Sequence, residues 1–374
     1  MWTRSHNVIR LVACAVIFCV TGNGEYTRGE QGVGEPRSID SLVTQRMKSL
    51  DVPGMAVTIV RNGDIVYSKS FGTADIENAV ALDSAGVFRW STLTRMLTAV
   101  SVLQLVERGQ LDLKAPVRNY VPEFKADNPV TVEHLLAHLS GVRSFTSADE
   151  LYNMQHYDRL ADTLPLFADD PLHFEPGSRF RTTPFGYNLL GMVIERVSGT
   201  TWHDYMKVNI FEPAGMKSAR ANHPTAIIAN RVSGYLRRKD GSLRNSVYHD
   251  SSIAGPSEGV VGSIGDLAAF AAALQRHTLL APAYYRLMTT EYRTASDKPT
   301  RYGLGCFVRE WKGKRITGHA GWQPGGSSFL LMVMEDGLAV GVLANLEQAD
   351  VKGLSLDVAA AVLGIESLSP NDAE

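Results

Sequence analysis

Residues 88–100 read FRWSTLTRMLTAV, and the fold turns on them because an aromatic lead-in runs directly into a helix start. Ser91 or Thr92 is placed to cap that helix, and Leu93, Met96, Leu97 and Val100 recur at the three-and-four spacing of a buried face. Thr92 and Arg95 stand three apart, so they share one helix face near the positive end of the dipole. That geometry suits a nucleophile with a basic neighbour. A guanidinium, however, has no site that accepts a proton from an attacking hydroxyl. T-x-x-R by itself is also what an ordinary capped helix shows, so the rest of the chain has to decide.

Working outward, the 374 residues are 44% hydrophobic and 20% charged, a globular composition long enough for one large domain or two smaller ones. A formal net charge of -2 gives no global basic field for nucleic acid. Residues 1–24 read as an export signal: Arg4 and Arg10 precede the apolar run LVACAVIFCV, and small residues follow. That run is too short to span a bilayer, so no stable membrane span is expected once it is cleaved, with a retained anchor as the alternative. Arg10 adjoins LVAC and leaves no apolar stretch ahead of Cys14, which argues against lipidation. Cys14 and Cys19 would leave with the signal, so Cys306 stands alone as a small buried hydrophobe, with no disulfide and no cysteine metal cluster.

The polar, glycine-rich residues 25–37 read as a linker. The domain then runs from near Ser38 to 366, followed by a tail, 367–374. A first helix is expected from Ile39 to Leu50, then MAVTIV and IVYSKSFG as a hairpin around an Asn-Gly turn. Helices follow at Thr94–Arg108, at VEHLLAHLSGV capped by Thr131 and closed near Gly141, at residues 184–198 closed by Gly199, and at residues 263–275. YGLGCFVRE and KRITGHAG read as strands, SSFLLMVMED and LAVGVLANLE as an apolar hairpin, and DVKGLSLDVAAAVLG as a last helix. Sheet segments at both ends enclose a helical middle, which implies an α+β fold: one antiparallel sheet flanked by helices, from residues 38–92 and 253–366, with a helical subdomain at 93–252. His134 and His138 are four apart on one helix, but no acidic third ligand accompanies them, so packing or capping outweighs metal binding.

Taken in order, VPGMAVTIVRNGDIVYSKSFG, FRWSTLTRMLTAVSVLQLVERGQLDLKAPVRNYVPEF, HLLAHLSGV, PGSRF with GYNLLGMVIERVSG, YGLG, and GHAGWQPGGSSFLLMVMEDGLAVGVLANLE resemble the serine β-lactamase and penicillin-binding-protein-like family. The likeness is to its class C β-lactamase, esterase and D-peptidase branch. It covers residues 38–365 and implies the β-lactamase/transpeptidase-like fold, no cofactor and no metal. It also implies three motifs around one cleft: S-x-x-K, Y-x-N, and a strand motif, often K-T-G or H-x-G. Thr92 falls at the nucleophile position, Arg95 at the lysine, Thr182 at the tyrosine and Pro184 at the asparagine, so all four have changed. Only His319-Ala320-Gly321 survives, on the strand edge that contacts the acyl substrate in this family, and Gly325 and Gly326 follow it. Tyr187 would enter the site only through a slipped register, which the GYNLLG match opposes.

Three functions are implied. The first is an exported, non-catalytic family member that binds a small-molecule, ester or peptide-like ligand, or an unidentified protein partner, in the former acyl-transfer cleft. The second is an active esterase, D-peptidase or β-lactamase using Thr92 or Ser91 with a rewired base such as His319. The third is a purely structural or cell-envelope module whose cleft is plugged by Trp90, Arg95 and Trp322. Loss of nucleophile, base and tyrosine together favours the first.

Overall fold

The computed structural model describes residues 36–126 and 129–365. The export signal, most of the linker and the tail lie outside the described residues. A helix at Pro36–Ser49 leads into the strand Gly54–Arg61 and its hairpin partner Asp64–Asp75. That pair belongs to a seven-stranded sheet in the order Val80–Ala81, Asp64–Asp75, Gly54–Arg61, Leu338–Ala344, Gly326–Val333, Lys314–Gln323, Phe307–Trp311. Each strand runs antiparallel to its neighbours. The two ends of the sequence therefore meet at the centre of one sheet, where Val57 and Phe329 both pair across to Val342. The antiparallel, helix-flanked α+β architecture expected from sequence is the one observed.

Why the central strands are buried along nearly their whole length follows from what covers them. Met55, Val57 and Ile59 face a core shared with the first helix and with the last, Val351–Leu363, whereas Ala56 and Val60 face the larger core on the other side. Strand periodicity of two sends alternate side chains to opposite faces, and both faces are dry. Gly341 illustrates how tight the second face is. A Cβ there would meet Leu267 and Thr58 at 2.8 and 2.9 Å, so the glycine lets the Ile264–Gln275 helix lie against the sheet.

The helix Thr94–Glu107 is buried nearly all the way round, with Thr94 to Leu105 all inside. Met96, Leu97 and Val100 are among its buried residues and Leu93 is buried just before it, but the amphipathic face expected from their spacing is too modest a description. This helix runs through the middle of the molecule, between the sheet and the helix Pro184–Ser198. Burial of a leucine there is worth about 1.5–3 kcal/mol each. Two other elements are shorter than expected. The helix capped by Thr131 spans only Val132–Leu136, and YGLGC is loop, the strand beginning at Phe307.

Candidate functional site

The lead-in to Thr92 is held from two sides. Phe88–Arg89 pairs with Val260–Gly262, the Trp90 N–H donates to the Val260 carbonyl, and the Ser328 hydroxyl donates to the Trp90 carbonyl at 2.6 Å. Gly321 makes this docking possible, because a Cβ on it would sit 2.3 Å from the Trp90 carbonyl oxygen and 2.1 Å from Ser328 Oγ. The third motif and the first thus touch backbone to backbone. Neither Ser91 nor Thr92 caps the following helix, contrary to expectation: Ser91–Leu93 forms a 3-10 turn with no side-chain cap, and Thr94 Oγ1 accepts the Val260 N–H instead. The Thr92 hydroxyl is turned to the Ala320 carbonyl, and the Ser91 hydroxyl is buried away from the helix start.

Thr92 is partly exposed and donates its hydroxyl proton to the Ala320 carbonyl at 2.9 Å. His319 Nδ1 lies 2.5 Å from that same oxygen. A carbonyl can only accept, so His319 carries its proton on Nδ1, and Nε2 takes the Tyr302 hydroxyl at 3.0 Å. Ser91 adopts a positive φ of 54° and is fully buried, and its hydroxyl makes no hydrogen bond among the described residues. A one-residue shift of nucleophile to Ser91 therefore has no route to a substrate.

Arg95 is 7% exposed. Its Nε donates to Ser257 Oγ at 2.9 Å, one Nη lies 3.4 Å from His138 Nε2, and its guanidinium stands 5.5 Å from the centroid of the Tyr187 ring. Burial, and then the Arg95 charge, push the His319 imidazole down to about 3 and His138 well below its ordinary value. Burial raises the phenols of Tyr302 and Tyr187. The imidazoles are thus neutral and the phenols protonated around one cation. His138, Phe180, Tyr187 and Tyr302 also pack ring against ring.

Thr92, Arg95 and His319 are brought into one neighbourhood. Thr182 is exposed, in a stretch whose flanking residues Arg181 and Thr183 both hydrogen-bond to His138 through their backbone N–H groups, so the segment borders the same cluster. Pro184 is buried at the first turn of its helix, where a missing N–H costs nothing, and Thr183 is the cap. Tyr187 packs, its hydroxyl donating to the Leu136 carbonyl at 3.1 Å. His134 closes a capping box with Thr131, and among the described residues no group of side chains could hold a metal ion. Trp90 is fully buried in the main core, with its indole N–H donated to the Gly262 carbonyl. Cys306 is buried and its thiol is pushed up to about 12 by burial, as suits a packed residue.

Sequence reasoning missed Ser257 and Tyr302. Ser257 lies 162 positions from Arg95 in a segment with no motif. Tyr302 opened a recognised stretch, YGLG, but nothing local signals that its hydroxyl reaches His319. A cavity of about 600 Å³ lies elsewhere, walled by His156, Trp202 and Pro256 among others.

Comparison with known proteins identifies the family and the fold. A family profile described as Beta-lactamase matches residues 39–364. The mitochondrial serine beta-lactamase-like protein LACTB of Homo sapiens is 26% identical, over 86% of this chain and 79% of its own length. Among solved structures, the octameric penicillin-binding protein homologue from Pyrococcus abyssi superposes with a TM-score of 0.77 at 26% identity, covering 89% of this chain and 78% of that one. The penicillin-binding protein from Bacillus halodurans gives 0.74 at 29% identity, covering 86% of this chain and 98% of that one.

Proposed function

This chain belongs to the beta-lactamase family, and from that premise we propose that it is a non-catalytic member that binds a small ester-like or peptide-like ligand in the former acyl-transfer cleft. One observation carries the reading: the Thr92 hydroxyl spends its proton on a backbone carbonyl, which cannot keep it. Acyl transfer needs a group that takes the proton as the oxygen attacks. Arg95 is a donor only. His319 has its one lone pair turned to Tyr302 and is held neutral by burial and by Arg95. Tyr302 is raised by burial and does not ionise near neutral pH. The alternative of a rewired hydrolase gains no support from Ser91, whose hydroxyl is enclosed.

The N-terminal sequence supports export, since a basic start and an apolar run precede the domain. No helix of the described residues is long and apolar enough to cross a membrane. The test is turnover of nitrocefin and of short-chain esters by the purified protein and by Thr92→Ala. Both should match the buffer blank. Turnover by the unmodified protein that Thr92→Ala abolishes would overturn the reading.

A further inference from the structure

Among the described residues Arg95 and Arg143 are both buried, at 7% and 9% exposure. They are treated oppositely. Arg143 is neutralised by two carboxylates, Glu150 at 2.8 Å and Asp170 at 2.5 Å. Arg95 has no carboxylate within ion-pair distance among the described residues, and the partners of its guanidinium are neutral: Ser257 Oγ, His138 Nε2, the Tyr187 ring and the Tyr302 phenol. A buried charge is expensive unless it is paired.

The surroundings add to the imbalance. Arg95 stands in the first turn of the Thr94–Glu107 helix, which carries no acidic residue in that turn, so the positive end of the helix dipole is uncompensated there. Neighbouring imidazoles and phenols supply no negative charge, for the reasons given above. The partly exposed Thr92 lies one helical turn before Arg95, and its hydroxyl is a donor now given to the Ala320 carbonyl.

We infer that the Arg95 guanidinium, with the Thr92 hydroxyl, receives the carboxylate of a small acid in this cleft. The inference rests on the reading that the cleft binds without turning over. A monoanion matches the single unpaired cation, whereas a phosphate dianion would leave one negative charge buried and unmatched. The residue at the lysine position thereby becomes a receptor for ligand charge, having ceased to be a handler of protons.

The experiment compares a matched acid and amide by calorimetry and by ligand-induced thermal shift: N-acetyl-alanine, in both enantiomers, against N-acetyl-alanine amide, with inorganic phosphate as a third arm. The acid should bind and raise the unfolding temperature, the amide should bind roughly tenfold or more weakly, and phosphate should not exceed the acid. Arg95→Gln should lose the preference for acid over amide, while Arg95→Lys, which keeps the charge, should retain it. The acid-amide comparison on the unmodified protein stands even if Arg95→Gln fails to fold. Equal binding of acid and amide, tighter binding of phosphate, or no acid binding at tens of millimolar overturns the inference. A covalent adduct found by mass would instead refute the non-catalytic reading, so the two failures are separable.

Discussion

At the level of single residues, the site is defined by where protons are held. His319 and His138 are both kept neutral by burial and by the Arg95 charge. An unfolded imidazole titrates near about 6.5, so between that value and the depressed folded value the unfolded chain binds the protons. The stabilisation is complete above the unfolded pKa and is lost as pH falls toward the folded one. Denaturant midpoints should therefore drop as pH is lowered from about 7 to about 4, and His319→Gln should reduce that dependence, leaving the part that His138 contributes. Ser91 offers a second test. It pays for a left-handed backbone and for an enclosed, unpaired hydroxyl, so Ser91→Gly should stabilise the fold by about 1 kcal/mol in equilibrium unfolding, without creating activity. If Ser91→Gly is neutral or destabilising, the backbone there is not strained in solution.

At the level of elements, the decisive contact is the close approach of the Lys314–Gln323 strand to the Phe88–Leu93 lead-in. Gly321→Ala should cost about 1–3 kcal/mol, because its methyl meets backbone oxygen on one side and Ser328 on the other. Chemical denaturation checks this, and an unchanged midpoint would mean that the two elements separate more easily than the geometry implies. The three-motif arrangement also sets what repair of the chemistry requires. Thr92→Ser with Arg95→Lys restores the nucleophile and its neighbour but no tyrosine, so it should remain inactive against nitrocefin. Adding Thr182→Tyr and Pro184→Asn is the expected minimum, since those two changes return the phenol and the carboxamide of the second motif. Activity in the double variant alone would show that the tyrosine is dispensable here.

At the level of the whole molecule, sequence period and turn chemistry were enough for the architecture. Alternating apolar runs at both ends paired in one sheet, and the helix at residues 184–198 appeared with the bounds that Pro184 and Gly199 imply. Pattern failed where tertiary contact overrides local preference. The helix after Thr92 is buried nearly all round because the sheet and neighbouring helices enclose it, and its start is uncapped because the Thr92 hydroxyl is committed to the Ala320 carbonyl while Ser91 is turned inward without a partner. The site was legible as motif positions, but not as an electrostatic unit: Ser257, His138 and Tyr302 meet Arg95 and His319 only through the fold. The central claim is that this unit cannot release a proton from Thr92. Intact-protein mass after incubation with a fluorescent penicillin and with a fluorophosphonate tests it most directly, because both report a competent nucleophile. The mass should be unchanged with either probe; a stoichiometric adduct that disappears in Thr92→Ala would contradict the account.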